Sequence, residues 1–181
     1  SNLYNILATL ATIDLYLDIK KLRKDIFLNY KVPNGRGDIS KIKFKNKQIF
    51  LVDESYNSNP LSLKTAIENY DNIESNNSKK YLILGDMLEL GKHSIKQHKL
   101  ITKIVNKTKI NQVYVIGRYI KETFKGLKLN KKAKILNNKF DIINVINKNL
   151  NNNDYLMIKG SNSTGLNKIT ASLKQRGQHV I

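Results

Sequence analysis

The chain of 181 residues, 40% hydrophobic and 25% charged, is long enough for one domain with a core, alone or with a remnant of another, and too short for two full-sized domains. Its 32 Lys and Arg against 14 Asp and Glu give a net charge of +18, which by itself suggests a polyanion, but the cations are nearly all Lys and dispersed, so a solvated, compositionally biased surface and no specific nucleic-acid partner are expected. With no Cys, disulfide scaffolds, thiolate metal sites and Cys nucleophiles are excluded and a reducing, cytoplasmic setting is expected, while no apolar run approaches the roughly 18 residues of a membrane span.

Leu3, Ile6, Leu7, Leu10 and Leu17 recur at helical spacing, and a shorter amphipathic stretch follows around Leu22, Ile26 and Phe27, so two helices are predicted to open the chain. No initiator Met precedes them, and the chain is expected to start inside a longer protein. Val32 to Gly37, with Pro33, Gly35 and Gly37, breaks the pattern and marks a domain boundary, giving segments 1–35 and 36–181. Ile39, Ile42 and Phe44 alternate with polar residues as an edge strand does, and Asn46 to Gln48 is predicted to turn it into a strand over Ile49 to Val52. Further apolar runs follow at Tyr81 to Leu84, Val113 to Ile116, Ala133 to Leu136 and Tyr155 to Ile158. Between and after them, amphipathic helices are predicted near 60–74, 94–108, 118–127, 139–150 and 164–175. Strands buried on both faces and alternating with helices predict an α/β fold with a mostly parallel, doubly wound sheet. The Asn-rich spacers Asn76 to Ser78 and Asn151 to Asn153 are predicted surface turns.

In an open parallel sheet, ligands gather beyond the carboxyl ends of the strands, and three segments there carry chemistry. Asp53 to Pro60 ends in Asn59 and Pro60, which suit the cap and first turn of a helix. Two adjacent acids, a Tyr and a further Asn in the same loop also suit a nucleotide: an amide for an adenine edge, a carboxylate for ribose hydroxyls, an aromatic face for packing. Gly85 to Gly91 is no phosphate-binding loop, because five residues separate its glycines where that motif has four, and His93 stands where Ser or Thr must hold magnesium. Asp86 and Glu89 are either loop acids or groups for a cationic part of a substrate. Lys159 to Gly165 is either an anion cradle at a helix start or a Lys at the sheet edge followed by small residues. His93, His98 and His179 lack the spacing of metal ligands, and there is no GxGxxG or GxSxG.

Together, Gly35-Arg36, Asp53 to Pro60, Gly85 to Gly91 with Ser94 and His98, and Lys159-Gly160-Ser161 resemble the C-terminal part of a MurF-type Mur ligase. That family joins D-alanyl-D-alanine to UDP-N-acetylmuramoyl-tripeptide in bacterial peptidoglycan synthesis. The resemblance covers essentially the whole chain: Asn2 to Ala8 resembles a helix start late in the family's central ATPase domain, so that two opening helices would be its remnant, and residues 36–181 resemble its Rossmann-like C-terminal domain. It implies ATP-dependent amide synthesis with Mg2+, in which a carboxylate is activated as an acyl phosphate and attacked by the dipeptide amine. It implies an ATP site including Asn5, Arg36, Glu54, Tyr56 and Asn57, with Asn5 and Asn57 at adenine and Arg36 and Glu54 at ribose or phosphate. It implies a substrate region including Asp86, Met87, Glu89, Lys159 and Ser161. Ser1, Glu54 and Asn162 stand where the family usually has His, Asp and Arg. The family's GxxGK[ST] loop, magnesium-binding acids and UDP-sugar domain are expected N-terminal to Ser1, so this chain alone is expected to be inactive, to bind no cofactor tightly and to be monomeric. A basic nucleic-acid-binding module or a stand-alone nucleotide-binding module is the competing expectation.

Overall fold

The computed structural model describes residues 2–29, 32–75 and 77–178; Ser1, Asn76 of the expected turn and His179 lie outside them, as does the side chain of Leu3. The chain forms two compact units, Ser1–Pro33 and Asn34–Ile181. The division falls before the expected one at 35/36 because Gly35 is fastened to the second unit: its N–H donates to Asp38 Oδ1 at 2.8 Å and its carbonyl accepts from the Tyr56 N–H at 3.1 Å.

In the first unit, α1 (Asn2–Asp14) forms where expected. The second expected helix does not form: a single 3-10 turn, Ile19–Lys21, and further turns occupy the stretch around Leu22, Ile26 and Phe27. Local side-chain bonds compete with a helix there. Asp18 accepts from the Lys20 N–H, Arg23 grips Asp25 two residues on, and Leu28 stays 80% exposed, so too little apolar surface is covered to nucleate a short helix.

The second unit is built on six strands, β1 (Asp38–Phe44), β2 (Lys47–Glu54), β3 (Lys80–Gly85), β4 (Gln112–Ile116), β5 (Lys132–Ile135) and β6 (Tyr155–Lys159), in the order β1-β2-β6-β3-β4-β5. Strand β1 runs antiparallel to β2, and the other neighbours are parallel. The hairpin turns at Lys45 and Asn46, with Phe44 opposite Lys47 and Lys45 at φ +53°, so Gln48 belongs to β2 and not to the expected turn. Ile39 faces out, 52% exposed, because Ile42 and Phe44 set the buried phase of β1 and Ile39 is out of step with both.

The helices α2 (Pro60–Asp71), α3 (Ser94–Lys107), α4 (Lys121–Lys125), α5 (Phe140–Asn149) and α6 (Leu166–Gln178) fill the intervals. Side chains alternate across the sheet as a strand's period of two requires. Ile49, Leu51, Ile83, Leu156 and Ile158 join the core under α5 and α6, whereas Val52, Leu82, Leu84, Val115 and Met157 join the core under α2 and α3. The sheet is therefore covered on both faces. Helix α2 starts where Asn59 and Ser62 form a reciprocal capping box, with Pro60 in the first turn.

At the amino ends of the strands, lysines close helix ends. Lys80 Nζ donates to the carbonyls of Asp71, the last residue of α2, and Ile73 just beyond it, Lys131 Nζ to Thr108 and Ile110 beyond α3, Lys47 Nζ to Asn147 and Leu150 at α5, and Lys132 Nζ to Lys125 at α4. These carbonyls carry the negative end of the helix dipole, so each ammonium is well placed. Burial nevertheless pushes the Lys47, Lys80 and Lys131 pKa values down. Part of the positive charge is thus turned inward onto helix-end carbonyls.

Candidate functional site

Because β6 lies between β2 and β3, the loops 53–60, 159–165 and 85–91 leave the sheet side by side. Lys159 is their junction, paired in register with Glu54 of β2 and Leu84 of β3. Its side chain is only 2% exposed, and Nζ donates to Glu54 Oε2 at 3.2 Å and to the Asn57 carbonyl at 3.0 Å. Burial lowers the Lys159 pKa and the adjacent Glu54 carboxylate offsets part of that. Ser161 completes the weld: its N–H donates to the Asp86 carbonyl at 3.0 Å, its Oγ accepts from the Leu88 N–H at 2.8 Å and donates to the Ser58 carbonyl at 3.2 Å. Lys159 and Ser161, expected in a substrate region, hold the three loops together.

On the β1 side of the rim, Arg36 stacks on Tyr56 with its guanidinium carbon 4.4 Å from the ring centroid. Both are exposed, as is Asn57, whose Oδ1 accepts from the Ser58 N–H at 2.8 Å and whose amide nitrogen has no partner among the described residues. Beneath them Lys174 of α6 donates to Asp38 Oδ2 and Asp53 Oδ2, each at 2.6 Å, and Ser55 Oγ donates to Asp53 while meeting Thr170 Oγ1 at 3.0 Å. Burial alone would lower the Lys174 pKa, but the bonds to the two carboxylates outweigh it and the pKa is raised. A depression of about 240 Å³ opens here, lined by Asn34, Gly35, Tyr56, Asn167, Thr170 and Lys174 among others. It is smaller than the usual small-molecule cleft of roughly 300–1,000 Å³. Three larger hollows, of about 400, 490 and 590 Å³, draw no lining residue from the three rim loops. Lys174 and Thr170 went unmarked in the sequence, although their spacing of four puts both on one face of α6.

Asp86 was expected to face a substrate. Instead it is buried, and its carboxylate serves the neighbouring loop, Oδ2 accepting from the Arg118 N–H at 2.8 Å and Oδ1 from the Ile120 N–H at 2.7 Å. Gly117, at φ +140°, allows that approach: a Cβ there would lie 2.5 Å from Asp86 Oδ1. Met87 is fully buried in the core with α2 and α3, so packing accounts for its side chain and a substrate contact by it is withdrawn. Its N–H donates to His98 Nε2 at 3.0 Å, while His98 Nδ1 meets the Ser94 carbonyl at 2.6 Å, which fixes the Nδ1–H tautomer. Glu89 is exposed at φ +66°, presented outward by a left-handed turn. Asn5 is exposed on α1 in the first unit.

The groups at Arg36, Tyr56 and Asn57 fit a nucleotide such as ATP in kind: an amide for the base, an aromatic ring, and a fixed cation for phosphate. They do not fit Mg2+. Among the described residues no three His, Cys, Asp or Glu side chains gather to hold a metal ion, and no helix is long and apolar enough to cross a membrane.

Residues 40–162 match the family described as Mur ligase, glutamate ligase domain. The UDP-N-acetylmuramoyl-tripeptide--D-alanyl-D-alanine ligase of Rickettsia prowazekii is 30% identical over 161 residues, which is 86% of this chain and 34% of that protein. The same-named ligase of Buchnera aphidicola subsp. Baizongia pistaciae is 33% identical over 130 residues, 71% of this chain and 27% of that protein. Among solved structures, the MurF ligase of Thermotoga maritima in complex with ADP superposes with a TM-score of 0.68 at 21% identity, over 95% of this chain and 36% of that one. The chain spans about a third or less of the length of the curated relatives it matches.

Proposed function

The chain belongs to the Mur ligase family through its glutamate ligase domain, and from that premise we propose that it is the C-terminal portion of an ATP-dependent ligase joining D-alanyl-D-alanine to UDP-N-acetylmuramoyl-tripeptide. The observation that carries the reading is the weld at the rim, where Lys159 and Ser161 bind the loops after β2, β6 and β3 into one rigid edge. A rigid edge suits a domain that closes on substrates held elsewhere, because it presents its groups without reorganisation. In this reading Arg36, Tyr56 and Asn57 meet the nucleotide, Glu54 is held by Lys159 next to them, and Asn5 is a further adenine-binding residue. Glu89 faces the dipeptide, and Asp86 keeps the loop that carries Glu89 in place. Residues 1–35 are the remnant of the central ATPase domain, and Mg2+ serves the parent enzyme. The 181 residues contain no GxxGK[ST] loop, so the chain alone does not turn over. We place the enzyme in the cytoplasm, a reducing setting that the absence of Cys from these 181 residues suits, and take it to be a monomer.

The test is ADP release that requires both UDP-N-acetylmuramoyl-tripeptide and D-alanyl-D-alanine, measured on the enzyme containing this chain and on the chain alone. Acceptor-dependent release by the first and none by the second is expected. Equal release with and without the dipeptide would overturn the reading.

A further inference from the structure

D-Alanyl-D-alanine is a zwitterion near neutral pH, so a site that takes it must answer a carboxylate as well as an amine. Lys92 is exposed beside loop 85–91 and Lys139 Nζ lies near Gly165, but each is a point charge on a flexible stem, without the planar fork that pairs with a carboxylate. Lys159 is buried and committed to Glu54 and the Asn57 carbonyl, and Arg36 lies over Tyr56 on the β1 side, with β6 between that side and the loop after β3. Arg118 differs from both. It stands just beyond β4, the strand next to β3, its side chain is exposed, and it makes no salt bridge within the described residues.

Its backbone belongs to the same frame as loop 85–91. The Arg118 N–H is held by Asp86 Oδ2 at 2.8 Å, two residues on the Ile120 N–H is held by Oδ1, and Gly117 gives the carboxylate room. The guanidinium carbon sits 5.5 Å from the Tyr119 ring centroid, and that ring leans on His98 at 5.9 Å, the same His98 that accepts from the Met87 N–H. The cation is thereby placed beside the loop that presents Glu89, opposite in charge.

We infer that Arg118 is the carboxylate-binding, specificity-determining residue for the acceptor dipeptide, with Glu89 at the amine end. The inference rests on the ligase reading. A guanidinium fork matches a carboxylate with two parallel hydrogen bonds, which a neutral amide cannot accept in the same way. Arg118 therefore selects acceptors with a free C-terminal acid.

The test compares D-alanyl-D-alanine with D-alanyl-D-alaninamide as acceptors for the full-length enzyme, in wild type, Arg118→Gln and Arg118→Lys. Wild type is expected to show a KM about tenfold lower for the acid than for the amide. Arg118→Gln raises the KM for the acid about tenfold, leaves that for the amide and both kcat values in place, and so erases the preference, while Arg118→Lys restores part of it. Preserved backbone amide signals of Met87 and Ile120 in the isotopically labelled variant show that the frame is intact. A wild type that uses acid and amide alike, or an Arg118→Gln enzyme that still prefers the acid, overturns the inference and leaves the ligase reading standing. No acceptor-dependent ADP release by wild type with either compound overturns both.

Discussion

Replacing Lys159 by Met should be the most damaging single change at the rim, and its size follows from the surroundings. The ammonium is 2% exposed, holds Glu54 at 3.2 Å and satisfies the Asn57 carbonyl at 3.0 Å. Removing one member of a buried ion pair costs on the order of 3–5 kcal/mol, because the other charge is left uncompensated. The Glu54 side chain keeps 21% of its exposure and can recover some hydration, so a loss of about 2–3 kcal/mol is expected for Lys159→Met. Urea unfolding of the chain, followed by far-ultraviolet circular dichroism, measures it as a shift in midpoint at constant m value. Combining Lys159→Met with Glu54→Gln removes the orphaned charge, and the double variant should be more stable than Lys159→Met alone by about 1 kcal/mol or more. A Lys159→Met chain within about 1 kcal/mol of wild type, or a double variant as unstable as the sum of the singles, would refute the weld.

In the full-length ligase, Asn57→Ala should raise the KM for ATP through the loss of an adenine contact worth on the order of 1 kcal/mol, whereas Arg36→Ala should lower kcat as well, and steady-state ligation at varied ATP separates the two. The isolated chain should bind ATP only at millimolar concentrations or weaker, about 4 kcal/mol or less, by calorimetry; micromolar binding would favour a stand-alone nucleotide module. Burial pushes the Tyr81 phenol up to about 12, with neighbouring Asp154 and Tyr114 adding to the shift. The folded state therefore keeps that proton while the unfolded chain loses it near 10, and the stabilisation is lost as pH rises from 10 to 12. Tyr81→Phe, which forfeits the bond to the Asn149 carbonyl, should be about 1 kcal/mol less stable than wild type at pH 7 and should overtake it by pH 12, as paired urea titrations would show.

The sheet was legible in the sequence because buried parallel strands leave short apolar runs, and all five from Ile49 onward correspond to strands. The rim was legible for a related reason: chemistry-bearing residues follow those runs directly. Partnership over distance was not legible. Lys174 lies 121 and 136 positions from the two carboxylates it joins, and nothing local marks a lysine on α6 as a tie for the loop at Gly35. Met87 and Asp86 misled for the opposite reason, since a rich loop motif contains the residues that hold the loop as well as those it displays. The missing second helix shows where spacing fails: Leu22, Ile26 and Phe27 have the period of a helix but no surface within their own unit that buries them.

The lysines at the lower edge of the sheet have a chemical consequence. An ammonium enclosed by helix-end carbonyls is a poor target for acylation, because the reagent needs a free, accessible lone pair. Lys80 and Lys131, 4% and 7% exposed, should therefore stay unmodified long after Lys64 and Lys92 on the outer surface have reacted. Their delayed modification, read by peptide mass spectrometry, times the opening of the ends of α2 and α3. Once acylated they have no charge left to offer those carbonyls, so each opening event that is captured is retained, and the folded population drains from the base of the sheet, the edge opposite the rim.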